Sequence, residues 1–269
     1  MNDRYNLSQF YGSNGAELPY ISFQDLKGDF YRVVNLEAIS MALDFPSGSS
    51  KKTRKEIEST WTNTLPKLEK LKSLAVKHRL NQDFFEVICQ MPNLERLFLF
   101  GASVEDISSI TKLTKLQRLD LQSFTQLKDI SPLSTLKNLK VLSIDNCFKV
   151  ENYEIIGELT GLIGLELCGD TFAPKKLRLD SLKSFTKLKH LKHLDLSTAS
   201  VIDGSYECVL EMESLERFDS VAKMPMGTRE KIKSHHKNLK AGFFVDYDFE
   251  NNKFYEGKNW DVKEYLNEC

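Results

Sequence analysis

A short leucine-rich phrase, Leu-x-x-Leu-x-Leu with conservative replacements, recurs along this chain and constrains its fold more than any other feature. Six clean copies and two weaker ones, at steps of 22 to 29 residues, begin at Leu71, Leu94, Leu116, Leu139, Leu162, Leu191, Leu215 and Leu239. The fourth and sixth positions of each copy are two apart, so both side chains leave the same face of a short strand. A single strand cannot bury that face. We therefore expect equivalent strands to stack in parallel, each unit covering its neighbours.

The segments between the phrases have a different rhythm. From Leu127 to Leu139 apolar residues recur at every third position, and the preceding unit repeats this spacing from Val104 to Leu113. A period of three suits short helical or 3₁₀ turns. Each unit is therefore expected to pair one strand with one such turn.

This pattern resembles the leucine-rich repeat family over residues 65–249. The run Asp-Ile-Ser-Pro-Leu at 129–133, followed by Leu-x-x-Leu-x-x-Leu, is similar to the short repeats of the internalin and protein-phosphatase-regulator subclass. The resemblance implies an α/β leucine-rich-repeat solenoid of about eight units, capped at both ends. Parallel strands would form its concave face, and short helices or 3₁₀ turns its convex face.

One family feature is incomplete here. The ninth position of a unit is usually Asn or Cys in the family, where it hydrogen-bonds to the backbone at a bend. Cys147 fits that position, and we expect it to be buried. The other units depart from the pattern, which predicts irregular bends at Arg79, Ala102, Phe124, Asp170, Ala199, Lys223 and Tyr247.

The ends of the chain differ from the repeats. Residues 1–64 are interpreted as an N-terminal cap or small subdomain, residues 65–249 as the leucine-rich repeats, and residues 250–269 as a C-terminal cap. The N-terminal part contains a strand-like run, Phe30–Leu36, and a predicted helix, Thr53–Trp61.

Four further segments are predicted from local pattern. The long step between Leu162 and Leu191 predicts a loop inserted over Thr171–Asp180, and Thr228–His236 reads as a helix. We interpret Phe243–Phe249 as a strand with outward acids, and we expect a short helix near Asp261–Asn267.

The odd positions of the strands point away from the leucines, onto the predicted concave face. Their middle column reads Ala75, Phe98, Asp120, Ser143, Glu166, Asp195, Asp219 and Phe243. One hypothesis is an acidic groove with an apolar anchor that binds a basic protein partner. The alternative is that the neighbouring arginines, including Arg217, neutralise the acids and leave a solvated ladder. The candidate protein-binding residues are Arg96, Phe98, Phe100, Arg118, Asp120, Asp145, Glu166, Asp195 and Asp219.

Composition narrows the partners. A formal net charge of -1 gives no global attraction to nucleic acid or to an anionic membrane, so we expect neither as a partner. The five cysteines are scattered without a Cys-x-x-Cys pair, and His190 and His193 diverge on a strand, so no metal or other cofactor is expected. The N-terminal residues lack the pattern of a secretory signal, which predicts a cytoplasmic protein with reduced thiols.

No motif that would activate a nucleophile is present, and the first 64 residues contain neither histidine nor cysteine. An enzymatic site there would depend on weak candidates only: Asp25, Asp29, Glu37 and Asp44. The family resemblance instead implies a non-catalytic protein–protein interaction module that binds on its concave face. The alternative is a dedicated regulator or inhibitor of one enzyme, such as a bacterial immunity-type protein.

Overall fold

A computed structural model describes residues 20–22, 33–42, 48–170, 175–248 and 250–256. The described residues form two compact units. The N-terminal unit contains the residues up to 139 together with 149–151, and the C-terminal unit contains 140–148 and the residues from 152 onward. Each unit is described by itself.

The N-terminal unit is built on five parallel strands that pair in chain order. Leu74, Leu97 and Leu119 face one another in register across three of them. The strands are β1 (Tyr20–Ser22), β2 (Ala38–Ala42), β3 (Ser73–Val76), β4 (Arg96–Phe100) and β5 (Arg118–Gln122). Helices α1 (Lys51–Thr64) and α2 (Gln82–Ile88) and 3₁₀ turns at Leu65–Lys67, Ser108–Lys112 and Ser131–Thr135 connect them.

The C-terminal unit repeats the arrangement, with four strands in one parallel sheet: β6 (Val141–Asp145), β7 (Gly164–Cys168), β9 (His193–Asp195) and β11 (Arg217–Asp219). A second parallel pair joins β8 (Leu177–Leu179) to β10 (Ala199–Val201). The 3₁₀ turns are Tyr153–Glu158, Lys183–Lys187 and Ser205–Glu211. Helices α3 (Thr228–His235) and α4 (Phe243–Asp246) follow, and then the antiparallel pair β12 (Tyr247–Asp248) and β13 (Lys253–Phe254).

The predicted leucines form the core of each unit. Leu97 and Leu119 in the N-terminal unit, and Leu142 and Leu165 in the C-terminal unit, are at most 1% exposed. The apolar residues of the 3₁₀ turns, such as Ile110, are equally buried on the other side. The prediction of a leucine-rich-repeat solenoid with alternating strands and 3₁₀ turns is therefore confirmed.

Asparagines that precede the first leucine of a phrase join successive repeats. The Asn93 amide donates to the Glu69 carbonyl at 2.8 Å, Asn138 to Thr114 at 2.8 Å, and Asn238 to Glu213 at 2.7 Å. These bonds satisfy backbone carbonyls that the 3₁₀ turns leave open. The sequence signal was present as the recurrent pair Asn-Leu, but the leucine pattern alone did not reveal its role.

The bends after the strands are irregular, as predicted, but the contacts that form them differ from one repeat to the next. Gly101, Ser123 and Asn146 take positive φ values of 66°, 60° and 57° directly after β4, β5 and β6. At the ninth position, apolar side chains fill the bend, and Ala102 and Phe124 are at most 1% exposed. The bends at these two positions therefore rest on packing rather than on an asparagine side chain.

The bend after β6, at Cys147, confirms a specific prediction. Cys147 is completely buried, and its thiol donates to the Asp145 carbonyl at 3.3 Å. The cysteine thus reaches the backbone in the way that the family resemblance implied.

Several local predictions need correction. In the predicted strand Phe30–Leu36, the described residues 33–36 form a turn, and the strand lies at Ala38–Ala42 instead. Helix α1 begins two residues earlier than predicted because Ser50 caps it, its hydroxyl accepting from the Thr53 amide at 3.1 Å, and it ends three residues later, at Thr64.

Residues 175–180 of the predicted loop contain strand β8, while residues 171–174 of the same segment lie outside the described residues, as do 30–32 and the predicted helix at 261–267. The predicted cap boundaries at 64 and 249 stay predictions.

The predicted strand Phe243–Phe249 begins as a helix. Gly242, with φ 101°, lets the chain turn tightly, and a Cβ there would lie 2.3 Å from the Phe218 carbonyl oxygen. The Asp246 carboxylate then accepts from the Gly242 amide at 2.9 Å and closes the helical turn of α4. Asp246 is therefore buried rather than outward-facing. Phe249 lies outside the described residues.

Candidate functional site

The polar face of a unit is defined here as the strand face opposite its leucines. In the C-terminal unit the register places Ser143 beside Glu166, Glu166 beside Asp195, and Asp195 beside Asp219. Neighbouring parallel strands lie about 4.8 Å apart, so these acids form a contiguous row. The sequence prediction of adjacent carboxylates is confirmed within this unit.

Arg217 neutralises one end of that row. Its Nε donates to Asp219 Oδ2 at 2.6 Å and its Nη2 to Oδ1 at 3.1 Å. Asp219 Oδ1 also accepts from the Phe243 amide at 3.0 Å. Burial opposes ionisation of Asp219, but contacts with His193 and the Arg217 charge outweigh it and lower the pKa of this carboxyl. Asp219 is thus a buried, ionised group that ties β11 to α4.

His193 is a residue that the sequence analysis did not include among the site candidates. Its side chain is completely buried, and Nε2 lies 3.7 Å from Asp219 Oδ2. Burial is the main reason that its pKa is lowered, and the charge of Arg217 acts in the same direction. Its odd position on β9 was a usable signal, because that position points onto the polar face.

Asp195 is the acid of the row whose ionised form its surroundings destabilise. It is only 5% exposed, and Oδ1 accepts from the Ser197 amide at 2.7 Å and from the Ser197 hydroxyl. Burial, followed by the negative charge of Asp219, nevertheless raises the pKa of Asp195 to about 6. The negative charge on this part of the face is therefore only partly compensated.

Cys168 and Glu166 complete the cluster. The Cys168 thiol donates to Asp195 Oδ1 at 3.6 Å, and Glu166 Oε2 accepts from the Ser143 hydroxyl at 2.9 Å. Burial first, and then the charges of Asp195 and Glu166, raise the pKa of Cys168 well above its usual value. The possible metal-ligand atoms of Glu166, Cys168 and Asp195 lie within 4.8 Å of one another. The raised pKa of the thiol and the hydrogen bonds that both acids accept oppose metal binding by this cluster.

The polar face of the N-terminal unit holds the remaining candidates, apart from Asp145. Arg118 clasps Asp120 with bonds of 2.8 and 2.9 Å, so the neutralisation hypothesis holds for this acid. Phe98 stands directly beside Asp120 on the neighbouring strand and is half-buried. Arg96 is exposed at the start of β4, and Phe100 at its end is 41% exposed.

Asp145 belongs to the C-terminal unit, where it is half-buried at the end of β6 and level with Cys168. Asp145 and Glu166 are therefore the accessible acids of that polar face, whereas Asp195 and Asp219 lie beneath the surface. The predicted binding role of these residues stays a prediction.

Within the described ranges, no helix combines the length and apolar character needed to cross a membrane.

Comparison with known proteins agrees with the geometry. Residues 92–135 match the family described as "Leucine Rich repeats (2 copies)", and no curated protein sequence matches the chain. Internalin C2 from Listeria monocytogenes aligns with a TM-score of 0.54 at 20% identity, covering 66% of this chain and 73% of that one. An internalin (inlF) from the same species aligns with a TM-score of 0.56 at 18% identity, covering 87% and 69%.

These likenesses concern the fold. Leucine-rich repeats serve as general protein–protein interaction modules and are generally non-catalytic scaffolds. The residues matched to the family and the length of each repeat both agree with the leucine pattern of the sequence. Residues 92–135 are therefore similar to leucine-rich repeats, and the described residues have the leucine-rich-repeat fold with short, internalin-like repeats.

Proposed function

We propose that this protein is a non-catalytic recognition module that binds a basic segment of a partner protein on the polar face of its C-terminal unit. The observation that carries the proposal is the crowding of Asp195 against Asp219, with Arg217 as the cation that compensates them. Burial is the main reason that the pKa of Asp195 is raised, and repulsion by Asp219 adds to it; a partner cation placed over this row would relieve that repulsion. Relief of that repulsion would favour binding.

The accessible acids determine where the partner makes contact. Glu166 and Asp145 are half-buried, so a lysine or arginine of the partner reaches them without opening the core. The deeper acids, Asp195 and Asp219, contribute through their field rather than through direct contact. The partner chemistry is therefore a short basic stretch rather than a single buried cation.

The chemistry of the cluster supports a binding role over a catalytic one. A nucleophilic cysteine needs a lowered pKa, whereas burial and two carboxylates raise that of Cys168. Asp219 is held by Arg217 and by the Phe243 amide, which leaves it poorly suited to transfer protons. We accordingly propose that the protein is not an enzyme.

Affinity purification of the full chain tests this function. The double variant Asp145→Lys with Glu166→Lys should lose its basic partners, because the face then repels them. The matched control is Glu154→Lys with Glu213→Lys, which makes the same charge change on exposed residues outside the strands. Retention of the same partners by the Asp145/Glu166 variant would overturn the proposal.

The nature of the captured partner decides between the two forms of this function. A tight 1:1 complex with one enzyme, accompanied by loss of its activity, would specify a dedicated regulator or inhibitor. Capture of several basic proteins without inhibition would specify a general module.

We further propose a reducing location such as the cytoplasm. Cys89, Cys147, Cys168 and Cys208 are all free thiols, and the first three are buried. Fractionation of cells that express the full chain tests the location, and recovery of the protein only outside the cytoplasm would contradict it.

A further inference from the structure

The polar face of the N-terminal unit has the opposite charge to that of the C-terminal unit. In the repeats that begin at Leu71, Leu94 and Leu116, the outward positions of β4 and β5 and the residues that directly follow β3 carry four cations and one carboxylate: Arg96, Arg118 and Asp120 on the strands, and Lys77 and Arg79 after β3. Arg118 and Asp120 neutralise each other through two hydrogen bonds. The cations of these repeats outside that pair are Lys77, Arg79 and Arg96.

These three cations are accessible. Arg79 and Arg96 are exposed and Lys77 is half-buried. Within the part of the chain that the structure describes, the side chains of Lys77 and Arg79 make no hydrogen bond or ion pair. Their charge is thus available to a partner at little desolvation cost.

Two aromatic rings lie among the cations. Phe98 and Phe100 leave the same side of β4, two residues apart. Val76 pairs with Leu99, and Lys77 and Phe100 are the residues that directly follow these two. Arg79 is adjacent to the end of β4, since its Cα lies 3.8 Å from the point where a Cβ on Gly101 would stand. We call Lys77, Arg79, Arg96, Phe98 and Phe100 the aromatic–cationic patch.

We propose that the aromatic–cationic patch binds an acidic protein segment that carries an apolar side chain. The ring of Phe100, 41% exposed, gains most from being covered by such a side chain. Acidic residues on either side of that anchor then face Arg96 and Lys77. This surface is separate from the proposed acidic site and does not depend on it.

The same chemistry disfavours nucleic acid as the occupant. Single-stranded nucleic acid needs a run of stacking rings along a continuous positive track. Here β5 places the Asp120 carboxylate beside Phe98 and Gln122 beside Phe100, and Asp120 balances the charge of Arg118, so neither the rings nor a net positive charge continue onto β5. A short peptide with one anchor fits this geometry better.

Selection from a phage-displayed library of random peptides on the full chain tests the proposal. We expect the enriched peptides to be net negative and to share an apolar residue. Their affinity should fall about tenfold or more in Phe100→Ser and in Arg79→Glu with Arg96→Glu. The control, Lys112→Glu with Lys137→Glu, reverses two exposed charges of the same unit outside the strands and should leave affinity unchanged. Urea unfolding of each variant confirms that it is folded.

Each other outcome overturns the proposal. Enriched peptides that are basic or neutral would show that charge complementarity does not act here. Affinity that is insensitive to Phe100→Ser would place the contact elsewhere, and a lack of enrichment would show that the patch binds no short acidic segment. Tighter binding of a single-stranded oligothymidine than of the enriched peptides would assign the patch to nucleic acid instead.

Discussion

Asp195 and Asp219 lie side by side on adjacent parallel strands, but their surroundings give them opposite protonation behaviour. Asp219 receives two hydrogen bonds from Arg217 and its pKa is lowered. Asp195 is held by Ser197 and the Cys168 thiol, and its pKa is raised to about 6. Because the pKa of Asp195 is raised and that of Asp219 is lowered, stability and binding should depend on pH through Asp195.

The first prediction concerns Asp195 and pH. Its folded pKa of about 6 lies above the ordinary value of 3.8, so the ionised form costs the folded state stability. The free energy of unfolding should therefore fall as the pH rises from about 4 to about 6, by an amount on the order of 3 kcal/mol. Asp195→Asn removes the ionisable carboxyl, so this contribution should be absent in the variant. The amide oxygen can still accept from Ser197, so the local hydrogen bonding is kept.

Urea unfolding at several pH values between 4 and 7.5 measures this difference. The relevant quantity is wild type minus variant, because other groups titrate in both proteins. A pH-independent difference would contradict the raised pKa.

The second prediction concerns the buried pair of Arg217 and Asp219. Arg217→Met should cost about 3–5 kcal/mol of unfolding free energy, because it leaves a buried carboxylate uncompensated. Adding Asp219→Asn should recover part of that loss by removing the charge. The exposed pair of Lys183 and Asp203, with nitrogen and oxygen 3.7 Å apart, serves as the comparison. Lys183→Met should cost less than about 1 kcal/mol. Similar losses for Arg217→Met and Lys183→Met in urea unfolding would contradict the difference in burial.

The third prediction tests the leucine core in each unit separately. Leu119→Ala and Leu165→Ala should each lower the unfolding free energy by about 2–5 kcal/mol, since both side chains are completely buried and leave a cavity. Leu210→Ala, at a half-buried position, should cost clearly less. Chemical denaturation followed by circular dichroism compares the three, and equal losses would show that the buried positions are not core positions.

The fourth prediction concerns the thiols. Burial raises the pKa of Cys89 to about 12 and that of Cys168 well above its usual value, so neither forms a reactive thiolate at neutral pH. In a Cys269→Ser background, Ellman's reagent should label Cys208 first, because its side chain is half-buried rather than buried. Cys89, Cys147 and Cys168 should react only as fast as the protein unfolds. Rapid labelling of Cys168 in the native protein, located by mass spectrometry, would contradict this order.

Local pattern predicted the elements that repeat and the two helices that became α1 and α3, but it missed helix α4. The 3₁₀ turn at Ser131–Thr135 follows from apolar residues at every third position, a signal present in several units. Helix α4 is unique. It forms because Gly242 accepts a close approach to Phe218 and because Asp246 closes the turn, and neither contact has a counterpart elsewhere in the leucine pattern.

The residues of the candidate site also divide into those that the sequence pattern predicted and those that it missed. The identity of the acids on one face follows from the two-residue period of a strand, so Glu166, Asp195 and Asp219 could be grouped from their spacing. His193 and Ser197 were missed as members of the cluster, because their roles depend on burial and on which oxygen of which carboxylate they reach.

The amino-acid sequence by itself determined that this protein is a stack of strand and turn units around aliphatic ladders, because burying the same face in every unit needs only a regular spacing of leucines. Only the tertiary structure decided which charges remain available on the polar faces. An acid such as Asp120 or Asp195 is neutralised, protonated or left ionised according to the donors within about 3 Å of it and the water excluded around it. Those distances are set by packing between strands, and no periodicity of the sequence encodes them.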